Sequence, residues 1–308
     1  MIETEKRRAQ SMEELRSYQG RMLGLEDIMA AIASYRPRPT DVIISPFGKS
    51  GTTWLQQAFH CLRTGGDMDF DDISRVVPWI ETASLLGIDL NADQRAEPRG
   101  YKSHLTFPAL PRGPRYVVSV RDPRDAVVSM HRFMEGWFLE PGAVSADLFA
   151  SWWIDRDLGN NYYAHLLSWW EQRDNPDVLM MTYEHMTADP VLAIRRLASF
   201  SELPLDDALL TLTLERSSLP FMLAHKDRFD DLMMREASER LCGLPPGSES
   251  AKVHKGVVGT YRTVLSEEMV ASLDARWTTI ITSATGLPDY AALDAELRAR
   301  SVRSSGGG

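Results

Sequence analysis

Cysteine is scarce in this chain. Cys61 and Cys242 are the two among 308 residues, too few for a disulfide framework and without the ligand spacing of a metal site. They read as buried thiols of a reducing compartment. Long apolar runs are missing as well. None approaches the roughly 18 residues of a membrane helix, and the charge-rich first thirty residues hold no apolar core of a secretory signal. These absences predict a cytoplasmic protein with no membrane span. Positive charge is the third shortage: 34 Lys and Arg stand against 43 Asp and Glu, a net charge of −9. That argues against a nucleic-acid partner. A site for an anion must therefore be local, set within an acidic exterior.

What is present is the composition of a globular protein, 44% hydrophobic and 25% charged. The length suits one large α/β domain or two modest ones. The most informative stretch is Ser45-Pro46-Phe47-Gly48-Lys49-Ser50-Gly51-Thr52-Thr53-Trp54. Before it, 41–44 reads as a buried strand; after it, 55–62 reads as a helix. A strand, a loop with two glycines, a lysine and hydroxyls, then a helix, is an anion-binding device. It is not a Walker loop, because Ile43 stands where that signature needs its first glycine. The shorter cradle suits a single phosphate group.

Further strands are expected over 101–104, 115–120 and 177–182, the second of them continuous and β-branched as a central parallel strand is. Helices are expected within 1–33 and over 126–133, 146–157, 162–172, 190–200, 206–215 and, last, 266–283. Asp122 and Pro123 supply an N-cap and first helical residue. Residues 217–250 read as a long irregular region with some helix, a candidate mobile lid, and 301–308 as a flexible tail. Strands alternating with helices predict a parallel sheet covered on both faces. Ligands of such sheets bind beyond the carboxyl ends of the strands, where Lys49, His104, Arg121 and Tyr183 all fall.

Five segments occur in a telling order: Lys49 to Trp54; Lys102-Ser103-His104-Leu105; Arg121-Asp122-Pro123-Arg124-Asp125 with Ser129; Tyr183-Glu184-His185-Met186; and Lys255-Gly256-Val257-Val258-Gly259. Together, from Asp41 to Trp277, they resemble the cytosolic-type sulfotransferases that use 3′-phosphoadenosine-5′-phosphosulfate (PAPS). The resemblance implies a sulfotransferase fold: α/β, a central parallel sheet flanked by helices on both faces, with a P-loop-like nucleotide-binding core. It implies one domain over 1–303, with an N-terminal helical segment 1–33, a core 41–283, and 304–308 as a flexible tail. The activity implied is transfer of a sulfuryl group from PAPS to a hydroxylated small molecule, with 3′-phosphoadenosine-5′-phosphate (PAP) as product and no metal required.

The resemblance also assigns residues. Lys49, Ser50, Gly51, Thr52 and Thr53 would hold the 5′ end of the nucleotide and Trp54 would stack on adenine. Arg121 and Ser129 would take the 3′-phosphate, closed over by His254, Lys255 and Gly256. Tyr183, Ser217 and Leu219 fall on the adenine side. His104 would be the general base, suited to the task near neutral pH, with Lys49, Lys102 and Ser129 completing the catalytic set. In a strand, Lys102 and His104 would point to one face. Trp79 and Phe133 match acceptor-pocket positions; Trp137, Phe138, Trp152, Trp153 and Phe221 are further candidates. His254 replaces a frequent arginine and Leu219 a frequent aromatic. Residues after Gly259 depart from the family's dimer motif, which leaves monomer and homodimer open. Read from the residues alone, Arg121 could instead pair with Asp122 or Asp125. An ATP-dependent kinase of nucleotides or small molecules, or a non-catalytic PAP-binding relative, are the competing functions. The kinase would want magnesium and the full Walker loop.

Overall fold

A computed structural model describes residues 6–155, 159–250, 252–253 and 256–305. Its centre is a four-stranded parallel sheet. The strands are β1 (Val42–Ile44), β2 (Gly100–Lys102), β3 (Arg115–Val120) and β4 (Val178–Thr182), in the order β2-β1-β3-β4. Val42 faces both Gly100 and Arg115, and Tyr116 faces Val178. The strands are rich in Val, Ile and Met because both faces are buried. Alternation along them separates two cores. Ile43, Val118, Val120 and Met180 pack into one, with Tyr163, Trp169 and Leu273. Val42, Ile44, Val117, Leu179 and Met181 pack into the other, with Leu55, Phe59, Ile194 and Leu197.

The helices Thr52–Thr64, Pro190–Phe200 and Asp207–Arg216 cover that second face. On the first lie Pro123–Trp137, Ala146–Ile154, Tyr162–Trp170 and Glu267–Trp277. Asp122 caps Pro123–Trp137 as expected, its carboxylate accepting from the Arg124 N–H. Met12–Met22 and Leu25–Ser34 form the N-terminal pair.

Three expectations need correction. The region 217–250 is largely helical, with Leu219–Ala224 and Leu232–Cys242. The helix Glu267–Trp277 is not the last: a wider turn at Thr278–Thr282 leads on to Tyr290–Ser305. That final helix runs through 301–305, which had read as tail. The helix begun at Ala146 ends at Ile154; residue 157, its expected end, lies outside the described residues, as do 306–308.

The amino end of the sheet is closed by an ion pair. Asp41 accepts from Arg99 Nε at 2.9 Å and Nη2 at 2.7 Å, from the Tyr35 hydroxyl at 2.7 Å and from the Arg38 N–H at 2.8 Å. No helix is long and apolar enough to cross a membrane among the described residues.

Candidate active site

The loop after β1 turns into Thr52–Thr64 through two left-handed residues, Lys49 (φ 68°) and Gly51 (φ 95°). A Cβ on Gly51 would lie 3.0 Å from both Met186 and Tyr183 side-chain carbons, so glycine is required by space as well as by φ. Lys49 carries a side chain in a region that disfavours one, a strain on the order of 1–3 kcal/mol. Arg121 Nη1 donates to its carbonyl at 3.0 Å. Thr52–Thr64 has no side-chain cap and no acid in its first turn, so its positive end is uncompensated. Ser50 Oγ, Thr52 Oγ1 and Arg121 Nε are buried with no hydrogen-bond partner among the described residues. Orphaned polar atoms of this kind mark a cradle built for an anionic ligand.

Arg121 does not pair with the nearby acids. Arg124 takes Asp122 at 2.6 Å, and Asp125 accepts from the Gly259 N–H at 2.5 Å and the Tyr261 N–H at 3.1 Å. The Arg121 guanidinium lies over the Tyr183 ring, 4.3 Å from its centroid. Its backbone rests on phenols: Tyr162 donates to the Arg121 carbonyl at 2.6 Å, and Tyr290, from the last helix, donates to the Val120 carbonyl at 3.1 Å. Ser129 and Phe133 follow on Pro123–Trp137, one turn apart and on one face.

His104 lies past the end of β2 rather than in it, so strand alternation does not set its direction. Its neighbours do. The backbone N–H donates to Glu81 Oε1 at 2.6 Å, the carbonyl accepts from Asn160 at 3.1 Å, and Nδ1 sits 2.7 Å from the Pro46 carbonyl. A carbonyl only accepts, so Nδ1 carries the proton and Nε2 is left as the basic nitrogen. Burial, then the Lys102 ammonium, holds the imidazole well below its usual pKa, in the neutral form a base requires. Trp79 packs edge-on against the ring at 5.2 Å.

Lys102 ends β2 with its ammonium 3.8 Å from the centre of the Trp79 ring and 3.9 Å from Asp231. The Lys49 ammonium lies 4.4 Å from the centre of Phe133. Removal from water lowers both lysines, helped by the Lys252 ammonium: Lys49 to about 7, Lys102 to about 8. Burial also pushes the Glu81 carboxyl up.

Lys49, Gly51, Thr52, Glu81, Lys102, His104, Arg121, Asp231 and Lys252 line one cavity of about 1430 Å³, and Ser50 does not. Trp54, Trp79, Ser129, Phe133, Tyr183, Ser217, Leu219 and Gly256 line it too, as do the aromatic rings of Trp137, Phe138, Trp152 and Trp153. Three expected residues are otherwise engaged. The Ser217 hydroxyl donates to the Thr213 carbonyl at 2.6 Å. Trp137 donates to Ser238 Oγ at 2.9 Å. Phe221 stacks on His225 and is not part of the lining. His254 and Lys255 lie outside the described residues. The helix Met12–Met22 and the residue that ends it bring Gln19, Met22 and Leu23 to the cavity wall.

Sequence reasoning missed Glu81, Asn160, Asp231 and Lys252. Glu81 is an acid at the end of the apolar run 76–80, a signal that was available. Asp231 and Lys252 carried none, since both fall in or beside the stretch read as irregular.

Comparisons with known proteins speak to the family and the fold. The sulfotransferase domain family matches residues 39–280. A luciferin sulfotransferase of Photinus pyralis is 27% identical over 284 residues, 80% of this chain and 73% of that protein. A sulfotransferase 1 family member D1 of Rattus norvegicus is 26% identical over 243 residues, covering 75% and 80%. Among solved structures, a retinol dehydratase in complex with androsterone and inactive cofactor PAP superposes with a TM-score of 0.68 at 20% identity, covering 89% of this chain and 95% of that one. A mouse sulfotransferase complexed with PAP gives 0.64 at 19% identity, covering 84% and 91%.

Proposed function

The chain belongs to the sulfotransferase family, and from that premise we propose that it moves a sulfuryl group from PAPS to the hydroxyl of a small apolar or aromatic acceptor, leaving a sulfate ester and PAP. PAPS supplies the group transferred. The chain supplies grip, orientation and a proton acceptor. Ser50, Thr52 and the first-turn N–H groups hold the 5′-phosphate end, with Gly51 allowing close approach and Thr53 adding a donor. Trp54 and Tyr183 flank adenine, with Ser217 and Leu219 beside them. Arg121 and Ser129, with the loop carrying Gly256, hold the 3′-phosphate.

His104 Nε2 takes the proton of the acceptor hydroxyl as that oxygen attacks sulfur. Lys49 stabilises negative charge at the departing phosphate, Lys102 binds the sulfuryl oxygens, and Ser129 restrains Lys49. One preorganised charge of this kind lowers the barrier by about 3 kcal/mol. Trp79 and Phe133 begin the acceptor wall. Retinol or androsterone accompanies PAP in the similar retinol dehydratase structures, and an aromatic-lined cavity favours hydroxylated molecules of that apolar kind.

One observation carries the reading: an imidazole with a free Nε2 shares a cavity with two lysines and with the unpartnered donors of Thr52 and Arg121. Calorimetric titration with PAP, ADP and ATP, with and without magnesium, tests it. PAP is expected to bind tightest and without need of the metal. Preference for magnesium ATP overturns the proposal in favour of a kinase.

A further inference from the structure

We propose that Asp231 is a positioning residue for the transfer reaction: with Lys252 fixed on one side of it, its carboxylate holds the Lys102 ammonium at the end of β2. The inference rests on the sulfotransferase reading and adds to it two residues from the segment 217–256.

Asp231 Oδ1 lies 2.6 Å from Lys252 Nζ and 3.9 Å from Lys102 Nζ. The three side chains are 3%, 8% and 3% exposed, and all line the cavity that holds His104 and Lys49. Asp231 occupies the N-cap position of Leu232–Cys242, where an aspartate ordinarily accepts from the first turn. It makes no such bond. Asp72 accepts instead from the Met233 N–H at 3.0 Å, which leaves the Asp231 carboxylate to the lysines. The residue sits at φ 51°, a left-handed conformation that Asp and Asn tolerate better than other side chains. Asp231 and Lys252 flank the same helix, so the pair also pins that helix to the catalytic strand.

Charge explains the arrangement. Lys49, Lys102 and Lys252 bring three ammonium groups into one cavity, with Arg121 acting on Lys49 as a fourth cation. Facing Lys102 are Lys252, Asp231, Glu81 and Asp72, besides the Trp79 ring and His104 two residues on. Burial raises the Asp231 carboxyl, but Lys252 and Lys102 outweigh it and hold the group at about 2, ionised throughout the working range. Its negative charge raises Lys102 and Lys49; the Lys252 ammonium lowers both. Lysines standing at about 8 and about 7 lose their protons as pH rises through those values, and with them their hold on the donor.

Two variants then act with opposite sign. In Asp231→Asn, which keeps the size and the backbone tolerance, the alkaline limb of kcat and of PAP affinity moves down by about one pH unit. In Lys252→Met it moves up by a similar amount, in Asp231→Glu it stays near wild type, and in the double variant Asp231→Asn with Lys252→Met it returns close to wild type. The full chain is assayed by initial rates and by PAP calorimetry across pH 6–10. Limbs unmoved, or moved the same way in both single variants, overturn the inference. If Asp231→Asn does not fold, Lys252→Met decides alone: an upward shift supports the inference, and any other result overturns it. A wild-type chain that takes up no PAP overturns the donor reading and this inference with it; PAP uptake with unmoved limbs overturns the inference alone.

Discussion

The two ends of the parallel sheet both bury ions, and they treat them in opposite ways. At the amino end, Asp41 and Arg99 meet one to one, and the remaining Arg99 donors reach the carbonyls of Arg36, Leu90 and Asn91. At the carboxyl end, Lys49, Lys102 and Lys252 share one firmly ionised carboxylate, Asp231, with Arg121 beside Lys49 as a further cation and with buried hydroxyls that lack partners among the described residues. Burial alone therefore does not mark a functional ion in this molecule. What marks it is incomplete compensation, the residue of charge and hydrogen-bonding capacity that folding leaves over. The first arrangement stabilises the chain; the second is tolerated by it and is suited to a polyanion.

The contrast is open to attack at either end. Asp41→Ala breaks the compensated pair and strands Arg99 in the core, a loss of about 3–5 kcal/mol. A shift of the denaturant midpoint reads it, while PAP affinity per folded molecule stays as it was. A weakened PAP site with an unmoved midpoint would merge the two ends into one system. At the other end His104→Ala keeps the midpoint and PAP affinity and lowers turnover by about 100- to 10,000-fold. Near-normal turnover would remove His104 as the base. Arg121→Ala is the smaller lesion. Loss of hydrogen bonds to a charged group, about 1.5–3 kcal/mol, weakens PAP by roughly 10- to 100-fold and adenosine 5′-phosphosulfate much less. Equal losses would place the 3′-phosphate on other residues.

The compensated end was invisible in the sequence: Asp41 and Arg99 are 58 residues apart and belong to no motif. The strands themselves were legible, because a strand buried on both faces is dominated by apolar side chains, as 42–44, 115–120 and 178–182 are. Lys49, His104, Arg121 and Ser129 were legible as an ordered set of motifs. The reason given for His104 was not the operative one, since a carbonyl from the β1 loop and the Glu81 carboxylate direct it, not the pleat. Asp231 lay in a stretch read as irregular, and only the third dimension shows it at a helix start where Asp72 caps in its stead. The last helix had a start signal in Asp289, whose carboxylate accepts from the Ala292 N–H at 2.8 Å. Its weak amphipathic pattern left 290–300 without an assigned element, and 301–305 read as tail.

That helix has a reach disproportionate to its place in the chain. Tyr290 props the strand end from which Arg121 projects, and also meets Glu184, while Asp294 receives the hydroxyl of Thr182 where β4 ends. The platform beneath the guanidinium is thus completed by a helix 170 residues further along the chain from Val120. A chain cut short before Tyr290 would keep every residue named on the cavity wall and still lose the footing that aims Arg121 into it, so a residue that touches no ligand would set how well an anion is held.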